Sequence, residues 1–560
     1  MKTILKFLDK KIKRNLIIIV FLSFIIILLE TLSVAAIFPL MKIILDIDYL
    51  KTFKIFNDLI IYYDQNTALI VFVVSIFIIY MFKNLLLLIS TIIQSKFLNF
   101  ANANFSANLY KIYLKFEYEE FQKKNTSYYL RNIIDNVNAF FGTYIKYLIS
   151  FITELFIVLG LFIVMFIASP LSSIFFVLGM STVGFLVYLY HQKKITFWGK
   201  IIHENHVAKL NLAKRGLNLF KEVKLFNKEN YFVNSYFNTI KNIANISYKF
   251  DGVMALPRLF FEIAGVIFIC SFLLVKVLSD EDPSDFLPIL ALYALSGFRM
   301  MPSANRLIGA IQRLKFSKPM IDFLENELTR YNRKNESNGR KQSIDYTFKE
   351  KIQIKNLEFS YSQNKKKIFD KFNLEIKKGE FVIVNGASGV GKSTLINLLL
   401  GLLKPTKGEI LIDDLNIHKN LESFYKIIGH APQDINLIDD TLIANIAFGC
   451  YKNEINMKKI NKAVTISGLD DFIDSLPEKL NTNVGEKGFK ISGGQKQRIG
   501  IARALYDNPE IIILDESTNA LDPETELGIV NSLKNEKITV ILITHKKELL
   551  KYSDRNFKLD

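Results

Sequence analysis

A six-helix α membrane domain followed by an α/β P-loop domain is the architecture this sequence predicts. Three observations carry it. Long apolar runs are confined to the part before about residue 315, Lys-rich loops alternate with acidic ones, and a glycine loop lies between an apolar strand and an apolar helix near residue 390. The chain has 560 residues, of which 50% are apolar and 22% charged, and its formal net charge is +17. That balance is too apolar for a disordered or collagenous chain. Cys270 and Cys450 are the only cysteines, so a disulfide framework is excluded, and no Cys/His cluster has the spacing of a zinc site. The first apolar run is too long for a cleavable signal and lacks a small-residue cleavage site.

The apolar runs are Leu16 to Phe38, Ala68 to Ile93, Tyr147 to Ala168, Leu171 to Tyr190, Leu259 to Val277, and Phe286 to about Gln312. A bilayer core about 30 Å thick needs roughly 20 apolar helical residues. The fifth run carries Glu262 and Lys276, and the sixth is interrupted by Arg299, Pro302 and Arg306. Both are counted because an even number of spans agrees with the loop charges. Lys2, Lys6, Lys10, Lys11, Lys13 and Arg14 crowd the N-terminus, and the stretches Lys96 to Lys146 and Lys193 to Lys249 are Lys-rich. The loop after span one holds Asp46, Asp48, Asp58 and Asp64, and Asp280, Glu281, Asp282 and Asp285 precede span six. Basic loops stay in the cytoplasm. The N-terminus and everything after span six are therefore expected inside, and the net charge reads as a cytoplasmic and lipid-facing surplus. No nucleic-acid recognition motif accompanies it.

The two long inner loops read as helical extensions of the spans, with apolar residues at three- and four-residue spacing such as Leu217, Phe220, Val223, Leu225 and Phe226. The outer segment with Tyr49, Leu50, Phe53, Ile55 and Phe56 fits an amphipathic helix on the lipid surface. The expected division is a membrane domain over 1–325, a polar linker over 326–345 and a soluble domain over 346–560.

In the soluble part, Phe381 to Val384 reads as a buried strand and Thr394 to Leu403 as an apolar helix. Between them stands Gly386-Ala387-Ser388-Gly389-Val390-Gly391-Lys392-Ser393, a P-loop in its required context. Its glycines let backbone N–H groups wrap phosphate oxygens, and the helix N-terminus adds positive potential. Lys392 is expected on the β- and γ-phosphates of ATP and Ser393 on Mg²⁺. A second buried strand, Ile511 to Leu514, ends in Asp515 and Glu516. Asp515 would complete the Mg²⁺ shell, which leaves Glu516 free to polarise an attacking water.

Ile491-Ser492-Gly493-Gly494-Gln495 then begins a helical run through Ala504. Here the sequence resembles the ATP-binding-cassette superfamily across essentially the whole soluble domain, with Ile491 where Leu is usual. The resemblance implies that Tyr361 stacks on adenine and that Gln433 links nucleotide and Mg²⁺ to the membrane half. It also implies that Gly485-Glu486 is an acidic loop, that Ala520-Leu521-Asp522 is the D-loop, and that His545 contacts γ-phosphate. Gly386, Ala387, Ser388, Gly389, Val390, Gly391, Lys392, Ser393 and Thr394 would hold ATP in one copy. Ser492, Gly493, Gly494 and Gln495 of a second copy would close over it, making a homodimer with Glu516, Gln433 and His545 as the catalytic set.

Six spans before one cassette resemble the exporter-type ABC half-transporter, with coupling helices expected near Glu117 to Tyr129 and Leu217 to Tyr231. Charges within the spans bear on the cargo. Arg299, Arg306 and Arg313 recur every seven residues, nearly on one helix face and about 10.5 Å apart. One reading makes them a track for an anionic head group, since guanidinium forks suit phosphate. The other pairs them with Glu30, Glu154 or a partner chain, and Arg258 with Glu262 on one helix face. Met301 to Arg306, Leu256-Pro257-Arg258 with Glu262, Glu30 with Pro39, and Lys115-Phe116 through Asn125 resemble flippases of lipid-linked oligosaccharides that serve bacterial protein N-glycosylation. That resemblance implies a multi-pass protein of the bacterial inner membrane. It would move a polyprenyl-diphosphate-linked saccharide, with Arg299, Arg306, Arg258 and Glu262 near the substrate. Export of peptide, drug or plain lipid, and an ATP-gated regulator or channel that does not transport, are the rival readings.

Overall fold

The computed structural model describes residues 10–62, 65–279, 283–337, 345–361, 367–387, 389–485, 488 and 491–559. It divides into two compact units, one of Met1–Phe116 and Phe121–Ser337, the other of Glu117–Glu120 and Asn338–Asp560.

The first unit is helical. Its principal helices are α1 (Lys10–Ala35), α2 (Ile37–Leu45), α3 (Lys54–Tyr62), α4 (Gln65–Leu114), α5 (Tyr118–Gln122), α6 (Thr126–Arg131), α7 (Lys146–Ala168), α8 (Pro170–Asn218), α9 (Phe220–Leu225), α10 (Glu229–Leu278) and α11 (Pro283–Ser337). Among the described residues, six helical segments are long and apolar enough to cross a membrane. Their outward residues are apolar too, such as Phe77 at 68% and Phe175 at 63% exposure, as lipid-facing surfaces require. The break between α1 and α2 follows from Pro39, which has no N–H for the Ala35 carbonyl and so falls in the first turn of a new helix.

Helices α4, α8 and α10 are single rods of 50, 49 and 50 residues. At 1.5 Å per residue each is about 75 Å long, far more than a bilayer needs, so the inner loops are helical as their periodicity predicts. Between α6 and α7 the chain takes two π-helical stretches, Asn132–Asn136 and Ala139–Ile145. Buried polar groups accompany them. Asn132 Nδ2 donates to Tyr113 Oη at 2.8 Å, Asn136 Nδ2 donates to Asn132 Oδ1 at 2.8 Å, and Ser106 Oγ donates to the Ile133 carbonyl at 2.9 Å. An inserted side chain on a carbonyl is a known way to displace the regular ladder.

Two sequence expectations change here. The polar stretch from Asn326 is not an open linker at its start, because α11 continues through it to Ser337. Ile321, Leu324 and Leu328 stay buried on one face of that helix, and Lys, Arg and Glu are good helix formers. The rest of that stretch, 338–344, lies outside the described residues. In the outer segment, Tyr49 and Phe53 turn toward the protein. Their rings meet edge-on at 5.8 Å, and Phe53 lies 6.3 Å from Phe72 of α4. The side chains of Leu50, Ile55 and Phe56 lie outside the described residues.

The second unit contains β1 (Lys351–Phe359), β2 (Phe369–Lys377), β3 (Phe381–Gly386), α12 (Lys392–Leu399), β4 (Lys407–Ile412), β5 (Leu415–Asn416), β6 (Ile428–Ala431), α13 (Met457–Ile466), α14 (Gly493–Leu505), β7 (Ile511–Asp515), α15 (Pro523–Asn535), β8 (Thr539–Ile543) and β9 (Arg555–Leu559). An antiparallel sheet runs β2-β1-β4-β5, and a parallel sheet runs β6-β7-β8-β3-β9. Alternation along the parallel strands builds two cores. Phe381, Ile383, Ile512, Leu514, Val540 and Leu542 enter one, and Val382, Val384, Ile511, Ile513, Ile541 and Ile543 enter the other. Each fully buried aliphatic side chain contributes about 1.5–3 kcal/mol, so both faces hold the central strands in register.

Helix α12 is shorter than the predicted Thr394 to Leu403. Gly401 adopts φ +66° and Leu402 N donates to the Asn397 carbonyl at 2.9 Å, so a left-handed C-terminal cap ends the helix while the apolar run continues.

Candidate functional site

The parallel register brings three strand ends together. Val384 of β3 and Asp515 of β7 both stand opposite Ile543 of β8. The loop after β3, the residues after β7 and those after β8 therefore emerge at one carboxyl edge, where ligands bind in open α/β sheets. Gly391 ends the first loop at φ +109°, and a Cβ there would lie 2.7 Å from Ile368 Cγ2. Only glycine suits that corner. Ser388 lies outside the described residues.

Lys392 turns its ammonium group back into the loop. Its Nζ donates to the carbonyls of Gly386 at 2.7 Å and Ala387 at 3.2 Å, and lies 3.0 Å from His545 Nε2. The same His545 nitrogen lies 3.3 Å from Glu516 Oε1. One ring nitrogen can accept from the ammonium or donate to the carboxylate, so the tautomer decides which contact is a hydrogen bond. Glu516 Oε2 accepts from Gln433 Nε2 at 2.9 Å and from Asn519 Nδ2 at 3.1 Å. Glu516 holds φ +47°, a left-handed conformation that directs the chain sharply away from β7.

Asp515 lies one residue back. Burial raises its pKa to about 6, the neighbouring Glu516 charge adds to the rise, and Lys392 opposes it. Tyr361 Oη and Thr394 Oγ1 are 3.3 Å apart, and Tyr361 meets Phe359 edge-on at 5.1 Å. Ser393 is exposed beside buried Lys392 and Thr394.

Ser492, Gly493, Gly494 and Gln495 are elsewhere. Ser492 caps α14: its Oγ accepts from Gln495 N at 3.3 Å, and Gln495 Oε1 accepts from Ser492 N at 2.9 Å. A Cβ on Gly494 would meet the Ala520 carbonyl at 3.0 Å, and Ala520 N donates to Gln497 Oε1 at 2.8 Å. The signature thus packs on Ala520-Leu521-Asp522. Among the described residues, no hydrogen bond joins these four to the P-loop. Glu486 lies outside the described residues. Asn519, with its bond to Glu516, was not among the residues the sequence singled out. Only its place three residues after Glu516 could have signalled that contact.

Residues 369–519 match the family model described as ABC transporter. That match lies wholly within the second unit. The cassette's relatives extend the comparison. The chain is 42% identical over 212 residues to ABC transporter B family member 29, chloroplastic, of Arabidopsis thaliana, covering 37% of this chain and 33% of that protein. It is 37% identical over 208 residues to the ATP-dependent lipid A-core flippase of Ralstonia nicotianae, covering 36% of this chain and 35% of the relative. It is 32% identical over 386 residues to the ATP-dependent permease MDL1 of Candida albicans, covering 65% and 54%. The chain thus spans about a third of the length of the first two curated relatives. A solved bacterial Atm1-family ABC exporter with ATP bound superposes with a TM-score of 0.74 at 21% identity, covering 99% of this chain and 94% of that one. At that identity the likeness is one of fold.

The charged residues of the spans fall into pairs. Glu30 is 1% exposed, and Lys83 Nζ lies 3.2 Å from its Oε2 while Arg299 Nε contacts its Oε1. These contacts are ion pairs by distance; neither Glu30 oxygen is in hydrogen-bond geometry. Arg306 grips Glu154 with Nε on Oε1 and with Nη2 donating to Oε2 at 3.1 Å. Arg313 lies over the rings of Phe250 at 5.0 Å and Tyr147 at 5.8 Å. Arg258 Nε donates to Glu262 Oε1 at 2.9 Å, with both side chains more than half exposed. The seven-residue ladder is therefore engaged, rung by rung, by other helices.

Proposed function

We propose that the chain is an ATP-driven transporter that works as a homodimer and moves an amphipathic anionic lipid. The observation that carries the ATPase reading is the contact chain Lys392–His545–Glu516–Gln433 at one sheet edge. Lys392 and the P-loop N–H groups would hold the β- and γ-phosphates, with Thr394 and Tyr361 beside them. Glu516 would take the proton of the attacking water, with Gln433, Asn519 and His545 orienting its carboxylate. Ser492 and Gly493 are exposed at the N-terminus of a 13-residue helix, which suits closure on the γ-phosphate of a second copy.

The residues fit Mg²⁺. The Ser393 hydroxyl, the Asp515 carboxylate and the Gln433 amide oxygen are hard oxygen donors, and Gln433 engages Glu516 through its nitrogen, leaving the oxygen available. Among the described residues, no group of three or more His, Cys, Asp or Glu could hold a metal, which agrees with an ion completed by phosphate oxygens. Bound there, Mg²⁺ would neutralise phosphate charge.

Two features support an anionic lipid cargo. Among the described residues, Lys83 and Arg299 share Glu30, Arg306 pairs with Glu154 and Arg313 rests on aromatic rings, so cations outnumber the acids they contact in that part of the membrane unit. One relative is a lipid A-core flippase. A polyprenyl-diphosphate-linked oligosaccharide is the finer reading, with Arg299 and Arg306, and less directly Arg258 and Glu262, meeting the diphosphate. Loop charges support a bacterial inner membrane protein with its cassette in the cytoplasm. Reconstitution of the full chain in vesicles tests this. A diphosphate-linked saccharide lipid should raise ATP turnover and change leaflet. Turnover that responds equally to neutral lipid, peptide or drug removes the lipid-saccharide reading, and hydrolysis without any translocation removes transport.

A further inference from the structure

Helices α8 and α11 converge just past the apolar part of α8. A Cβ at Gly199 would lie 2.3 Å from the Phe316 carbonyl oxygen, so glycine lets the two backbones approach there. Beside that contact the helices part around a cleft of about 430 Å³. Lys193, Lys200 and Lys315 line it with Gln192 and Thr196, and its lining includes no acidic residue. Lys315 Nζ donates to Gln192 Oε1 at 3.0 Å and lies 4.6 Å from the Tyr188 ring centre, which fixes its direction. Among the described residues, none of the three lysines has a carboxylate in ion-pair contact. Three uncompensated ammonium groups around one cleft call for an anion.

Depth says which kind. The apolar span of α8 ends at Tyr190. Lys193 and Lys200 follow by three and ten residues, about 4.5 and 15 Å along the axis. The headgroup layer on each side of a bilayer is about 5–8 Å thick, so Lys193 stands within it and Lys200 beyond its outer edge. Exposed Tyr190, at the end of the apolar span, is of the residue type that marks the membrane interface.

We infer that this cleft binds the phosphate of an anionic lipid headgroup at the membrane surface. Lys193 and Lys315 meet the phosphate at headgroup depth, and Lys200 reaches a second anionic oxygen farther out. Gln192 aims Lys315. The inference is independent of the cargo, because the site needs no ATP turnover to fill.

Trp198 supplies the readout. It lies between Lys193 and Lys200 and packs with Phe250, Val253 and Phe316. The full chain is reconstituted in bilayers containing phosphatidylglycerol or phosphatidylcholine that carries a nitroxide on its headgroup, and nitroxide quenching of Trp198 is measured at matched lipid fractions. Quenching should favour phosphatidylglycerol. Each lysine near a charged lipid surface is worth about fivefold in binding, so K193Q/K200Q/K315Q should lower the preference on the order of 100-fold. The matching triple Lys→Arg variant keeps the charge and should retain it, and the single K193Q variant, at an exposed position, should lose about fivefold even if the triple variant folds poorly. Equal quenching by the two lipids in the native chain, or a preference that survives K193Q/K200Q/K315Q, overturns the site. A Trp198 response to inorganic phosphate in neutral detergent, with no preference between the lipids, assigns the cleft to free phosphate and overturns the lipid assignment.

Discussion

Glu516 Oε1, just past the end of β7, lies 3.3 Å from His545 Nε2, just past the end of β8. Because Gln433 and Asn519 both donate to the other oxygen, Glu516 is oriented from two sides before any water arrives. Glu516→Gln keeps the shape and removes the basicity. It should cut ATP turnover by roughly 10²–10⁴-fold while nucleotide still binds. Hydrolysis and bound-nucleotide content measured on the same preparation check this; native turnover in the variant takes Glu516 out of the role of base.

Asp515 should make nucleotide binding pH-dependent. Its folded pKa of about 6 lies above the ordinary carboxylate value, so the folded state takes up a proton as pH falls through 6. A protonated Asp515 cannot serve a cation, so Mg²⁺-dependent nucleotide affinity should drop between about pH 7 and pH 5. The sign for stability is the reverse. Burying the charged form opposes folding above pH 6, and that opposition fades as pH falls toward the unfolded value. Asp515→Asn should therefore raise the nucleotide-free Tm at pH 7 by about 2–4 °C, with little change at pH 4. Equal shifts at both pH values would assign the effect to packing.

Arg306 and Glu154 distinguish cargo binding from architecture. A fork gripping a buried carboxylate across two helices should show coupling in thermal unfolding. Removing either partner leaves an unpaired charge and should cost about 3–5 kcal/mol if the site is fully desolvated, less where Arg306 reaches water. The double variant Arg306→Ala with Glu154→Ala should be more stable than the sum of the single losses. If Arg306 also meets cargo, the same double variant will lower the ratio of lipid-stimulated to unstimulated ATPase. Independent, additive losses would remove the pair as a structural link.

Gly199→Val tests the approach of α8 to α11. Its Cβ would press on the backbone oxygen of Phe316, which cannot swing aside. A loss of about 1–3 kcal/mol is expected, read as a lower Tm in detergent. An unchanged Tm would mean that the helices separate freely at this point.

Much of this was legible in the chain. Buried parallel strands must be apolar on both faces, and Phe381 to Val384 and Ile511 to Leu514 announce themselves by that rule. Gly391 is dictated by a left-handed corner at the start of a helix. Four of the six spans follow from hydropathy, and the fifth and sixth, which carry Glu262, Lys276 and the arginines, were legible only with the alternation of loop charges. Less visible was the end of α12, because the cap at Gly401 competes with an apolar run that still reads as helix. Nor did composition show that α11 would run on through polar residues to Ser337, since one buried face is enough to sustain a helix.

The sequence by itself determined where the chain can be apolar, where it must turn, and which side chains can carry phosphate chemistry, because periodicity and backbone sterics act over a few residues. Only the tertiary structure decided which distant residues meet. It set Glu30 between Lys83 and Arg299, Glu154 against Arg306, and Gln433 and Asn519 on one oxygen of Glu516. A charge has no fixed partner along the chain: its partner is whatever opposite group packing brings within a few ångströms, and packing is a property of the whole fold.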